Sequence, residues 1–206
     1  MFFLTILLQM LYIINMELKE ILHELHSQID NILSFYENST NVSNRAIADE
    51  IEKYIKKHLC KIYNAQDTST ARSIEDVKLD INGITFYCDI KCHNINKFSM
   101  PNLISIDRLL KLYKEEFNEF IIVKINYDIV ENKVNITNTE LFEIESLNKN
   151  SYNIGNLGRG QIQLLPKFEL SNDRKNFLNE LREKYSSFLD IQIKKFEKLK
   201  RNLYEY

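Results

Sequence analysis

Between Val77 and Ile90 apolar and polar side chains alternate on both sides of an Asn82-Gly83 pair, and no other stretch of this chain restricts its fold so tightly. Val77, Leu79 and Ile81 alternate with Lys78 and Asp80, while Ile84, Phe86, Cys88 and Ile90 alternate with Thr85, Tyr87 and Asp89. A period of two marks a strand with one face on a core, and Asn-Gly supplies the positive-φ residues of a tight hairpin turn. The stretch predicts a β-hairpin with Ile81 opposite Ile84, Asp80 opposite Thr85, Lys78 opposite Tyr87 and Asp76 opposite Asp89. On this reading Asp76, Lys78 and Asp80 share one face of the first strand. Thr85, Tyr87, Asp89 and Lys91 share the non-core face of the second.

Two carboxylates facing each other across a hairpin, beside a lysine, are equipped for phosphate chemistry. Carboxylate oxygens are hard ligands suited to Mg²⁺, which is usually held by one or two of them together with a phosphate. An ammonium two residues away can meet charge that develops on a reacting phosphate or position the attacking water. An isolated Asp-x-Lys is more often a solvated surface pair. The weight here comes from the order Asp76, alternating strand, Asn-Gly, second strand, Asp89-Ile90-Lys91.

That order resembles the PD-(D/E)xK nuclease superfamily, and within it the type II restriction endonucleases. The resemblance places Asp76 as the first acid, Asp89 as the second and Lys91 as the motif lysine, with the Ile90 carbonyl joining the metal ligands. The residue before Asp76 is Glu75 where the motif has proline, so Asp80 stands as a rival first acid. Lys91-Cys92-His93-Asn94 and the run from Phe98 to Ile106 are similar to segments that follow the lysine in such enzymes. The similarity extends over roughly residues 45 to 165. It implies Mg²⁺, double-stranded DNA as substrate, a 5′-phosphate product, a homodimer if the target is palindromic, and a cognate DNA methyltransferase in the same system. A structure-specific repair nuclease, an inactive DNA-binding module and a membrane-associated protein are the alternatives, in falling order.

The helix predicted from about Arg45 to Tyr63 adds a fourth candidate. Ala48, Ile55 and Leu59 line one face, and Glu52 falls on the same stripe. In the resembled family such a helix often brings a further acid to the metal. The competing reading is an edge residue paired with Lys56 one turn on.

Around this centre the chain reads as an α/β domain with a central mixed β-sheet flanked by helices. An amphipathic helix runs from Glu17 to Tyr36, and Ser43 or Asn44 caps the next. A helix starting at Ser105 or Asp107 leads to an apolar strand at 120–127, the crossover that permits parallel pairing. Shorter strands are expected at 134–137 and 141–147, and a long helix from Ser171. Gly155, Gly158 and Gly160 fall within six residues, followed by the alternating Gln161-Ile162-Gln163. Glutamine and asparagine can pair bidentately with adenine and arginine with guanine or phosphate. Arg159, Gln161, Gln163, Asn94 and Arg72 are the expected DNA contacts, the alternatives being a tight turn leading to an ordinary strand at 155–165 and a simple connection for the loop that carries Arg72.

At 206 residues the chain is long enough for one domain with a real core. A net charge of -2 neither supplies nor forbids a local basic face. Three cysteines without paired spacing fit a reducing cytoplasm and no zinc site. Residues 1–15 are apolar, lack the features of a signal peptide and fall short of the ~20 residues that span a bilayer. Translation is expected to start at Met16, leaving residues 16–206 as a single endonuclease domain without stable membrane association. A buried first helix and a short membrane anchor are the alternatives.

Overall fold

The structure, a computed structural model, describes residues 2–37, 43–67, 75–97, 101–114, 118–156 and 160–204, the first fifteen of these by backbone alone. Helix α1 (Phe2–Ser34) opens the chain and α2 (Asn44–Ile62) follows, the Ser43 hydroxyl accepting a hydrogen bond from the Ala46 amide as its N-cap. Strand β1 (Gln66–Asp67) leads to the hairpin strands β2 (Val77–Ile81) and β3 (Ile84–Asn94). Next come β4 (Asn102–Ser105), the short helix α3 (Ile106–Leu112), β5 (Asn118–Val130) and β6 (Lys133–Glu143). Two single 3₁₀ turns precede β7 (Tyr152–Gly155) and β8 (Gln161–Leu164), and α4 (Arg174–Tyr204) closes the order.

These elements form two compact units, residues 1–98 with 121–142, and residues 99–120 with 143–206. The first holds a five-stranded sheet in the order β1-β2-β3-β5-β6. Its core gathers Leu25 and Ile29 from α1, Ile47, Ile51, Ile55 and Leu59 from α2, and Val77, Leu79, Phe86, Cys88, Ile90, Val123 and Ile125 from the strands. Each such buried aliphatic side chain contributes about 1.5–3 kcal/mol, which offsets the entropy of ordering the chain. The result is an α/β fold with a central mixed sheet flanked by helices, as expected. The second unit holds a three-stranded sheet, β4-β8-β7, and α4.

The hairpin register is the expected one, with Ile81 opposite Ile84, Asp80 opposite Thr85 and Lys78 opposite Tyr87. Asn82 and Gly83 turn the chain at φ 51° and 80°. Four expectations need correction. First, His93 and Asn94, which read as the start of a loop after the hairpin, belong to β3, because Cys92 packs against the core and Asn94 is itself buried. Second, the two short strands expected at 134–137 and 141–147 are one strand, β6, which follows β5 after a turn at Glu131 and Asn132, both at positive φ. That turn carries no glycine and gives little sequence signal. Third, residues 102–105 form a strand ahead of α3, whose N-cap is Ser105. Fourth, the inward stripe of α2 is Ile47, Ile51, Ile55 and Leu59, and Ala48 and Glu52 sit at its shoulder. The backbone of residues 2–15 is helical and continuous with α1, and among the described residues no helix is long and apolar enough to cross a membrane.

Candidate active site

Regular pairing between β2 and β3 ends at Val77 opposite Cys88, one pair short of Asp76. Beyond it the chain bends: the Asp76 amide donates to the Cys88 carbonyl at 2.9 Å, and Asp76 Oδ2 accepts from the Ile90 amide at 2.7 Å. Asp76 is thus fastened beside Asp89 by its side chain, outside the ladder that simple register would extend. In an antiparallel strand the N–H and C=O of one residue leave on the same side. The Ile90 carbonyl therefore shares the side on which Asp76 is held.

Asp89 is only 7% exposed. The hairpin pattern predicts a polar outer face here, yet Cys88, Asp89 and Ile90 are buried in succession, so both faces of β3 are covered at this point. Asp89 Oδ1 accepts from Lys91 Nζ at 2.6 Å, which places the two side chains on one side as expected. Asp89 Oδ2 is buried and has no hydrogen-bond donor. A buried carboxylate oxygen without a donor is costly. Burial pushes the Asp89 carboxyl up to about 7, with Lys91 opposing and Asp76 adding to the rise. Burial acts to lower the Lys91 ammonium, but Asp89 and then Asp76 outweigh it and hold the amine above its usual range.

Glu52 joins this group from α2. Burial raises its carboxyl to about 7, Lys91 draws it down, and Asp76, Asp89 and Asp49 push it further up. It borders, with Asp49 and Asp76, a cavity of about 590 Å³ whose remaining wall is Lys53, Lys56, Lys57 and Cys60. The rival first acid is elsewhere. Asp80 is exposed next to the turn, where its carboxylate accepts from the Thr85 hydroxyl at 2.6 Å. It lies four positions along the chain from Asp76, roughly 13 Å at the usual rise. Three acids and one lysine thus converge at the open end of the hairpin. The orphaned Asp89 oxygen, hard oxygen donors and excess negative charge fit a divalent cation held by Asp76, Asp89 and the Ile90 carbonyl.

The expected DNA contacts fare unevenly. Gln161 and Gln163 lie on one face of β8, the central strand of the three-stranded sheet. Gln163 is flanked by Asn102 on β4 and Asn153 on β7, so three carboxamides form a row across the strands. Sequence reading missed Asn102 and Asn153, because the row exists only once three distant segments pair. Gly155 lies opposite Gln161, and a Cβ there would stand 3.8 Å from both Asn102 Oδ1 and Gln163 Oε1. Gln161 Oε1 is buried without a donor. Asn94, by contrast, is buried, donates to Asn44 Oδ1 at 3.0 Å and accepts from the Asn96 amide at 2.9 Å. Its amide ties the end of β3 to the start of α2. Arg72 and Arg159 lie outside the described residues.

A second acidic group was also not foreseen. Carboxylate oxygens of Glu119, Glu143 and Glu145 approach within 4.8 Å of one another. Arg174 Nε donates to Glu145 at 2.6 Å, its guanidinium also pairs with Glu119, and the Tyr113 hydroxyl donates to Glu145. Burial, then Glu145, raise Glu119 to about 7 against the pull of Arg174. Arg174 supplies a cation to this group as Lys91 does at the hairpin, but of the two only the hairpin acids leave a buried carboxylate oxygen, Asp89 Oδ2, without a donor among the described residues.

No protein-family model matches the chain. The cell division protein DivIB of Clostridium tetani (strain Massachusetts / E88) is 32% identical over 104 residues, 49% of this chain and 34% of that protein. The chain thus spans about a third of the length of that relative. Among solved structures, NlaIV restriction endonuclease superposes with a TM-score of 0.57 at 10% identity, covering 79% of this chain and 78% of that one. The fold is restriction-endonuclease-like. At this identity the likeness concerns the fold, and the chemistry rests on the residues themselves.

Proposed function

We propose that this protein is a Mg²⁺-dependent type II restriction endonuclease of the PD-(D/E)xK superfamily, hydrolysing phosphodiester bonds in double-stranded DNA at a short specific site. One observation carries the reading: Asp76, Asp89, Lys91 and Glu52 converge at one hairpin end, with an Asp89 oxygen left without a donor. Asp76, Asp89 and the Ile90 carbonyl hold the cation, which when bound supplies Lewis acidity and lowers the pKa of water. Lys91, fixed by Asp89, directs its ammonium at the phosphate, where it stabilises the charge that develops and orients the attacking water. Glu52, with a carboxyl near 7, accepts the water proton. The water oxygen forms the new bond to phosphorus as the bond to the 3′ oxygen breaks. The 3′ oxygen leaves with a proton from solvent, and the phosphate stays on the 5′ side.

Gln161 and Gln163 face base edges, with Arg159 and Arg72 as further contacts. Asn94 is committed within the fold, and Asn102 and Asn153 extend the amide row in its place. Residues 16–206 as one endonuclease domain, a homodimer on a palindromic site, a cytoplasmic location and a partner methyltransferase belong to the same proposal. The test is incubation of the purified protein with unmethylated phage DNA and Mg²⁺. Discrete bands that disappear with EDTA are expected. Intact linear DNA under all metal conditions overturns the proposal, and cutting confined to branched duplex assigns a structure-specific nuclease instead.

A further inference from the structure

Helix α4 outlasts the core it packs on. Phe177 and Leu181 are buried, but further along Leu189, Ile193, Phe196, Leu199 and Leu203 are 40%, 54%, 68%, 59% and 79% exposed. At about 100° per residue these five fall on one stripe. Their spacing reads the same in both directions: Ile193 and Leu199 lie three residues either side of Phe196, and Leu189 and Leu203 seven. An apolar stripe that is symmetric about its own midpoint is complementary to itself when a second helix runs antiparallel to it. We propose that this stripe is a two-fold interface between two copies of the chain, centred on Phe196. In that pairing Leu189 meets Leu203 of the other copy, Ile193 meets Leu199, and the two phenylalanines meet at the axis. This is an isologous contact, in which each pair occurs twice. Lys200, the one cation inside the stripe, faces Gln192 of the other copy and lies within a lysine's reach of its Asp190, so its charge is answered across the interface.

The amount of surface suits a second copy. The exposed parts of these side chains come to roughly 500 Å² per chain, so a pair removes about 1,000 Å² from water, the threshold at which a contact between copies counts as specific and the size of a weak, concentration-dependent dimer. An exposed apolar patch of about 500 Å² is at the size that often marks an interaction site. The interface does not depend on nuclease activity. It deepens only the homodimer part of the proposed function, and the oligomeric state is measured without DNA.

The test is sedimentation equilibrium of the full chain. A concentration-dependent dimer is expected, and Phe196→Glu should weaken it about a hundredfold, the effect of a central anchor residue. Leu199→Glu repeats the test at a second exposed position, and circular dichroism of each variant separates lost association from lost folding. Mixing Leu189→Cys chains with Leu203→Cys chains should give a cross-link between positions 189 and 203, mapped by mass spectrometry. A wild-type chain that stays monomeric to its solubility limit overturns the interface, as does a dimer that survives both glutamates. Cross-links between identical positions 189 and 189 overturn the antiparallel arrangement. A monomer that sediments with anionic phospholipid vesicles assigns the stripe to a lipid surface instead.

Discussion

Lys91 and Asp76 carry the sharpest expectations because the proposed mechanism gives each one job that its neighbours cannot take over. On the proposed mechanism Lys91→Ala removes a group that acts on the reacting phosphate, so cleavage should fall about a hundredfold or more while DNA affinity changes little. Equal turnover by this variant in a single-turnover assay removes Lys91 from the mechanism. Asp76→Asn should abolish Mg²⁺-dependent cleavage, whereas Asp80→Asn should leave it near wild type, since Asp80 is engaged with Thr85 at the other end of the hairpin. The reverse result in a metal titration displaces the whole site. The acids also make a pH prediction. Glu52 and Asp89 have carboxyl pKa values raised to about 7 from 4.5 and 3.8, so their protonated forms stabilise the fold. That contribution is complete below the ordinary carboxylate range and is lost as pH rises through about 7. In EDTA the melting temperature should therefore fall between about pH 5 and about pH 8, and Asp89→Asn should flatten the decline. Mg²⁺ must bind the ionised acids, so it should raise the melting temperature more at the alkaline end. At this scale the sequence was legible where spacing is local: Asp89, Lys91 and Asn82-Gly83 lie within ten residues, whereas helical periodicity brought Glu52 to the right side of α2 but set the inward stripe one residue off, at Ala48 and Glu52 in place of Ile47 and Ile51. Asp76 was found by extending the ladder, although the bend and side-chain bond that hold it were not readable from spacing.

Elements were readable to the extent that their partners are near in sequence. The β2–β3 hairpin needs only its own turn, and α2 needs only its stripe and the Ser43 cap. The β4–β8–β7 sheet is different, because β4 pairs with a strand more than fifty residues away and each strand has four residues. Four residues alternate too briefly to separate a strand from a loop. Glycine requirements follow the same division. Gly83 sits at φ +80° with open space around it, so Gly83→Ala should cost only about 1 kcal/mol, the price of the left-handed backbone. Gly160 sits at φ +106°, and a Cβ there would stand 3.0 Å from the Tyr185 ring and 3.3 Å from Ile154. Gly160→Ala should cost about 2–4 kcal/mol in urea unfolding, by adding a packing clash to the backbone strain. Comparable losses for the two substitutions count against close packing of α4 over this glycine.

For the whole molecule, the fold class was legible because alternation of strands and helices leaves few architectures open. The division into two compact units was not, since no run of proline, glycine or serine marks it and two of its three boundaries fall inside β5 and β6. The acid group around Arg174 was equally hidden, its members being spread over more than fifty residues of chain. If two copies act together on DNA through the α4 stripe, dilution below the dimer constant should lower activity per chain. Initial rates would then rise more steeply than linearly with enzyme concentration, and Phe196→Glu should restore linearity at a lower plateau.

The Ile90 amide spends its proton on the Asp76 carboxylate, where a strand amide would ordinarily bond to backbone. That makes one N–H a spectator of the proposed metal site. A cation that draws on Asp76 withdraws electron density from the oxygen serving Ile90, so the amide resonance should move on Mg²⁺ addition and its hydrogen exchange should change with it. Nuclear magnetic resonance of a single backbone proton could thus report occupancy of the site in the absence of DNA, and do so in variants that no longer cut.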